Sequence, residues 1–462
     1  MQKINRSTLQ YVLKSISVYI LLLILKIPSN HALANTGELL GFGSSSISLG
    51  NSMLGSKDQA FAGYYNPAMP ASIEGLALSF GISWANPSFL EIDNVVTANS
   101  VTTAATTTQT LGKVDTDNYL DHLSQTLGVS FNFGERLYHL TLHAVASIPI
   151  ARLAYIDSSD PFLPDYFNYR SRIQRPQIFA GFALKPLSYF HVGAGLAFST
   201  NLSAANDVTI STVNNTVSHQ RFASTIKPGA TGYFGLYLDP KPFYSGLTVR
   251  MTNKYKVDID TNARSRLFET LNEVPFVLNS SSAVYYDPFE VNLAVGADIT
   301  PKTFVTGELD WLNYENFETP VLNVVFKRGS NSSIQNSVNT APKTKNIFIG
   351  KLGVEQKINT IALRGGYMYR PSPIESNSGS GNLIDPDRHT FALGAGFDLK
   401  ELGVVNHPVT VDTHITYHYF VRQTVTKTAG NELNQTGSKV GSPSYDIGGS
   451  MWGAGLSLST KF

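Results

Sequence analysis

The last thirteen residues, SMWGAGLSLSTKF, constrain the fold more than any other stretch. Trp452, Ala454, Leu456, Leu458, Thr460 and Phe462 fall on one face of an extended chain. Met451, Gly453, Gly455, Ser457, Ser459 and Lys461 fall on the other. No polar residue follows the final aromatic one. A bare apolar strand at an open sheet edge templates aggregation. In a closed barrel the last strand pairs with the first and no edge remains.

The alternation recurs along the chain. Leu127, Val129, Phe131 and Phe133 oppose Gly128, Ser130 and Asn132. In LYHLTLHAVASI, Tyr138, Leu140, Leu142, Ala144, Ala146 and Ile148 oppose His139, Thr141, His143 and Ser147. In VTVDTHITYHYFV, Val409, Val411, Ile415, Tyr417 and Tyr419 oppose Asp412, His414, Thr416 and His418. Ile361, Leu363, Tyr367 and Tyr369 oppose Arg364 and Arg370. Each segment approaches the ~9–11 residues with which a tilted strand crosses a bilayer. About fourteen such segments begin near residues 76, 125, 137, 176, 190, 222, 245, 287, 303, 345, 360, 388, 409 and 448. Short connections such as GER, DPKPF and TPK alternate with long ones near 85–124, 150–175, 204–220, 261–286, 319–343, 371–387 and 425–446. Apolar residues outward, polar residues inward, and short turns opposite long loops describe an outer-membrane barrel. The expected fold is all-β: an antiparallel transmembrane β-barrel of about fourteen strands, spanning residues 76–462. A soluble β-sandwich needs neither aromatic strand ends nor loops so unequal. The Ser/Thr/Asn-rich stretches 97–110 and 329–344 read as solvated loops without chemistry.

Composition agrees. Charged residues make up 15% of the chain, against roughly 25% in a soluble protein. A formal charge of +1 offers nothing to nucleic acid, whose phosphates need clustered Lys and Arg. Cysteine is absent, which removes disulfide frameworks, thiolate metal sites and thiol chemistry. Residues 1–34 read as a secretory signal peptide. Lys3, Arg6 and Lys14 precede the apolar core VYILLLIL, and Ala32-Leu33-Ala34 is an A-x-A cleavage site. The apolar run is too short to span a membrane as a helix. The expected location is the outer membrane of a Gram-negative bacterium.

Residues 35–75 must then precede the barrel. They are rich in Gly and Ser, yet contain Leu39, Leu40, Phe42, Met53, Leu54, Phe61, Tyr64 and Tyr65. A free tail would be more polar. The expectation is a plug inside the lumen. In YYNPAMPA, Pro67 fixes its own φ and biases Asn66 away from helix, so Asn66-Pro67-Ala68 reads as a rigid turn into the first strand.

A plug-like N-terminus closing in Asn-Pro-Ala resembles the FadL-type transporters of long-chain fatty acids and hydrocarbons. Four further stretches resemble that family in order: TVRMTNKYKVDIDTNAR (248–264) its central hairpin arm, and GELDWLNYENFE (307–318) a strand carrying Trp and Phe. LRGGYMYRPSPIESNSGSGNLIDPDRHTFALGAGF (363–397) resembles its strand–loop–strand with a Pro-Asp-x-Arg element, and GGSMWGAGLSLSTKF its closing strand. The likeness runs from about residue 37 to the end. Met69-Pro70 departs from the Gly-Leu common in the family, which puts the exit angle of the plug in doubt. The resemblance implies a plugged fourteen-stranded barrel. A hydrophobic ligand is captured by outer loops, passed to a lumen pocket gated by the plug, and released sideways beside a kinked third strand.

In the 261–286 connection, Leu267, Phe268 and Leu271 fit one face of a short helix, and Phe276, Val277 and Leu278 follow Pro275. They line either an outer capture groove or simple packing over the mouth. Arg388, by resemblance, meets a fatty carboxylate; the alternative is an ion pair with Asp385 or Asp387. Arg364 is a second lumen candidate for ligand binding, against pairing with Glu308, Asp310 or Asp412. Phe42, Phe61, Tyr64, Tyr65, Asn66, Pro67 and Ala68 are the plug residues expected to gate. His139 and His143, like His414 and His418, lie ~13 Å apart along a strand, too far to share a metal ion. No cofactor, metal site or catalytic residue is expected. The partners expected are a hydrophobic ligand, outer-membrane lipid and, through Phe462, the barrel-assembly machinery, with the protein a monomer. The rivals are a general aqueous porin and an adhesive barrel acting through its loops.

Overall fold

The computed structural model describes residues 36–98, 108–114, 119, 121–150, 159, 164–169, 173–211, 218–266, 274–320, 323–328, 332–336, 342–375, 382–399, 407–426 and 444–462. The expected signal peptide, residues 1–34, lies outside them. The first strands are β1 (Leu76–Phe89), β2 (Ile92–Ala98), β3 (Thr108–Val114), β4 (His122–Asn132), β5 (Thr141–Pro149), β6 (Gln177–Leu187) and β7 (Phe190–Ser211). There follow β8 (His219–Leu238), β9 (Phe243–Arg250), β10 (Asn253–Arg266), β11 (Val274–Asp287), β12 (Phe289–Thr300), β13 (Thr303–Asn313) and β14 (Asn323–Arg328). The last are β15 (Ser332–Asn336), β16 (Ile347–Ile358), β17 (Ile361–Arg370), β18 (Arg388–Leu399), β19 (Val409–Thr426) and β20 (Ser444–Lys461).

Fourteen of these close an antiparallel ring in the order β1, β4–β9, β12, β13 and β16–β20. β20 pairs back onto β1 from Ala77↔Lys461 to Phe89↔Gly449. The faces follow the alternation. On β20, Trp452 and Leu456 are exposed while Met451, Gly453 and Ser457 are buried. On β5, Thr141, His143, Val145 and Ser147 point inward. Outside, Leu78, Leu127, Phe182, Leu236, Leu293, Phe348, Leu393 and Ile415 form an apolar band that only a bilayer covers.

Three readings are corrected. His139 does not share a strand face with His143: Tyr138 and His139 both have positive φ in the turn before β5, so the strand starts at Thr141. Parts of the Ser/Thr-rich stretches 97–110 and 329–344 are strands, in the hairpins β2–β3 and β14–β15. The connection 261–286 is largely the hairpin β10–β11, and β10 runs parallel to the outer half of β7. All three hairpins lie outside the fourteen-stranded ring, at long connections between its strands.

Residues 36–75 pass through the lumen as short helical turns (Thr36–Leu40, Ser44–Ser48, Met53–Ser56, Ala62–Tyr65 and Met69–Ser72). Phe42, Met53, Leu54, Phe61, Tyr64, Tyr65 and Ala68 form one buried cluster with Val145, Phe179, Tyr233 and Phe304 of the wall. The wall admits this backbone because its inward face carries glycine where the two touch. A Cβ on Gly366 would collide with the backbone nitrogen of Gly50, and one on Gly235 with the Asn66 side chain and the Pro67 ring. Gly366→Val is therefore expected to cost about 3 kcal/mol or more, the upper end for overpacking, since the atom it strikes is backbone. Gly365→Val, whose added Cβ meets nothing nearer than 3.8 Å, should cost little. The temperature at which the folded, heat-modifiable gel band disappears separates the two.

Candidate ligand site and plug anchors

Arg388 opens β18 and lies directly opposite Arg370 on β17 and Phe420 on β19, with all three side chains buried. Arg370 is fully engaged. It donates to Glu38 at 2.6 Å, Asp385 at 2.8 Å and the Tyr314 hydroxyl at 3.2 Å. Arg388 is 0% exposed and makes one long bond, from Nη1 to the Tyr169 hydroxyl at 3.4 Å. Its Nε and Nη2 have no partner among the described residues. The alternative pairing foreseen for Arg388 does not form. Asp385 accepts from Arg370 and from Asn168 at 2.7 Å, and Asp387 accepts from Tyr369 and the Ser372 amide, each at 2.7 Å.

The hydrogen-bond partner of Arg388, Tyr169, and its cross-strand neighbour Phe420 belong to an aromatic cluster. Phe89 stacks on Tyr166 at 4.1 Å, and Tyr169 and Phe420 meet edge-on at 5.0 Å, with Leu39, Ile447 and Met451 in the same cluster. Burial pushes the Tyr169 phenol up to about 12, so it stays neutral. His418 is held by Thr390 at 2.9 Å and Thr416 at 3.1 Å. A buried cation with two unmet donor nitrogens, beside aromatic and aliphatic side chains, is complementary to an oxyanion on an apolar tail.

Arg364 lies elsewhere. It sits toward the short-turn end of β17, bonded to Glu355 at 2.6 Å and Asp412 at 2.5 Å, and Asp412 also accepts from Gln59 of the plug at 2.6 Å. It borders a charged cavity of about 530 Å³ with Lys57, Asp58, Asp298 and Lys461, which suits water rather than an acyl chain. The two arginines do not share a site, and the ion pair with Asp412 is the alternative realised. Leu267, Phe268 and Leu271 lie outside the described residues. Phe276, Val277 and Leu278 are on β11, opposite Ala263, Asn262 and Thr261; Val277 and Leu278 are half-buried and point to opposite faces.

The plug is tied to the wall by polar groups that the sequence does not flag. Glu308 accepts the Met53 amide at 2.6 Å, and Lys351 lies 2.7 Å from Glu308 and 2.6 Å from Asp310. Arg250 donates to the Tyr64 carbonyl and lies over the Tyr64 ring at 4.6 Å. The Asn-Pro-Ala turn is a staple. Asn66 Nδ2 donates to the carbonyls of Leu236 on β8 and Leu247 on β9, at 2.9 and 3.1 Å, while its Oδ1 accepts the Ala68 amide. Tyr65 accepts the Phe42 amide at 2.9 Å and donates to Asn51 at 2.7 Å. The signal for Lys351, Glu308 and Arg250 is a charge at an inward register position, which alternation identifies but cannot pair.

β5 is the third strand around the barrel, where the resemblance implies a kink. Its ladders to β4 and β6 run without a register shift from Thr141 to Pro149 and from Thr141 to Ser147. On its lipid side, Ala144 and Ala146 border an apolar groove of about 580 Å³ with Leu78, Leu127, Val129 and Ile178.

No family model matches the chain. Alkane uptake protein A of Marinobacter nauticus is 22% identical over 441 residues, covering 89% of this chain and 90% of that protein. Among solved structures, a Pseudomonas aeruginosa FadL homologue superposes with a TM-score of 0.59 at 12% identity, over 94% of this chain and all of the other. The Pseudomonas putida toluene transporter TodX superposes at 0.52 and 13% identity, again over 94% of this chain and all of that one. Ring order, internal plug and full-length superposition agree: this chain has the plugged β-barrel fold of the FadL homologue and of TodX.

Proposed function

We propose that the protein takes up long-chain hydrophobic molecules, fatty acids or related hydrocarbons, passively across the outer membrane. The ligand is captured by the outer loops, with Leu267, Phe268, Leu271, Phe276, Val277 and Leu278 as the contact residues, held with its head at Arg388, gated by the plug and released sideways into the bilayer. No covalent step or cofactor is involved. Export through a cleaved signal peptide (1–34), a plug of 35–75 ahead of a barrel of 76–462, assembly through Phe462 and a monomeric state belong to the same reading. The observation that carries it is the buried Arg388 with two unmet donors, bonded to Tyr169 and paired with Phe420 of an aromatic cluster. The alkane-uptake relative supports a hydrocarbon tail; Arg388 supports an acidic head. A general aqueous porin needs an open, polar lumen, and here the plug fills it.

Arg388→Ala tests the reading. A charge-assisted bond is worth about 1.5–3 kcal/mol, so oleate uptake by cells should fall about 10- to 100-fold. Hexadecane uptake should be unchanged. Equal oleate uptake by the variant would remove the headgroup role.

A further inference from the structure

We propose that Glu38, Leu39 and Leu40 occupy the ligand's own place: an internal carboxylate with an apolar tail that an acid-headed ligand must displace from the arginine pair. This rests on reading Arg388 as the headgroup site.

The geometry is that of a stand-in. Glu38 reaches Arg370 at 2.6 Å, with its side chain nearly buried. Leu39 is buried in the aromatic cluster of Tyr166, Tyr169 and Phe420, and Leu40 packs against it. Carboxylate and leucines thus lie as the head and tail of a fatty acid would, one strand away from the unmet donors of Arg388.

The charges explain why the two compete. Arg370 and Arg388 face each other on neighbouring strands, an arrangement that is repulsive unless neutralised. The carboxylates bonded to Arg370 are Glu38 and Asp385, giving two negative charges for two positive ones. Asp385 is also held by Asn168. A ligand carboxylate arriving at Arg388 adds a third negative charge, and release of Glu38 restores the balance. A neutral hydrocarbon brings no such charge and has no claim on Arg370. The rest of the plug is positioned to stay. From Ser44 onward it is bonded to the wall through His414, Glu308, Asp412 and the Asn66 staple. Gly41 and Gly43, both at positive φ, separate that anchored part from the Glu38 segment.

The test uses the full chain in nanodiscs, with oleate and hexadecane as probes. Glu38→Gln keeps the shape and removes the charge, so oleate should bind about tenfold more tightly and hexadecane as before. The chain has no cysteine, so Leu40→Cys, at a half-buried position packed against the cluster, reports displacement directly. Oleate should speed its reaction with a maleimide, and hexadecane should not. Unchanged or weaker oleate binding by a folded Glu38→Gln variant overturns the proposal. So does equal acceleration of labelling by both probes, a readout that does not depend on whether Glu38→Gln folds. Undiminished oleate binding by Arg388→Ala removes the headgroup reading itself. Loss there with a silent Glu38→Gln removes only the stand-in.

Discussion

Lys351→Met is expected to destabilise the protein by about 3–5 kcal/mol, the range for leaving a buried charge without its partner. Lys351 lies between Glu308 and Asp310, and all three side chains are almost fully buried inside the barrel. Glu308 also accepts the Met53 amide, so the loss reaches the plug. Two carboxylates without a counter-ion repel each other where water cannot screen them. Methionine keeps most of the volume, which isolates charge from packing. The triple variant Lys351→Met, Glu308→Gln, Asp310→Asn should recover most of the loss, because a network neutralised as a whole leaves no orphan charge. Loss of the folded gel band on heating, followed for the single and triple variants, measures both. A single variant as stable as the parent would show that the triad does not hold plug to wall.

Deleting residues 41–72 is expected to convert a barrel that passes no ions into an open pore. The ring closes through β1–β20 pairing, and Ile73–Gly75 still lead into β1, so the wall has no need of the plug for closure. Removing it uncovers Arg250, Arg364, Asp412 and Lys351, which would line a wet channel. Planar-bilayer recordings should show steps for the deletion and none for the intact chain. A silent deletion variant would mean that the wall collapses inward. A conducting intact protein would favour the porin.

The barrel was legible because lipid imposes a simple rule. Every residue on a crossing strand faces either hydrocarbon or lumen, so apolar and polar residues alternate with period two. β1, β13, β18 and β19 begin at the residues read from that pattern. β5 was set too early because two non-glycine residues, Tyr138 and His139, turn the chain at positive φ. The hairpins β2–β3 and β14–β15 leave no mark in the alternation, and an arm at β10 is legible only through the family resemblance of residues 248–264. At the site, the sequence points to Arg388 by resemblance alone, and its burial opposite Arg370 is visible only in the structure. Its partner was not legible either. Asp385, three residues away, pairs instead with Arg370, because strand β17 brings that guanidinium opposite. Glu38 lies 332 residues from Arg370 in sequence, a separation that one chain read alone cannot bridge. The Asn-Pro-Ala turn was legible as a rigid turn but not as a staple across β8 and β9.

The most direct test of the account is the identity of what the protein carries when extracted from membranes in mild detergent. Mass spectrometry of the purified protein should find a long-chain acid at about one per chain. It should be absent from Arg388→Ala and retained at reduced occupancy in Arg388→Lys. A long-chain acid bound equally by all three, or an empty barrel that conducts ions with its plug in place, would contradict it.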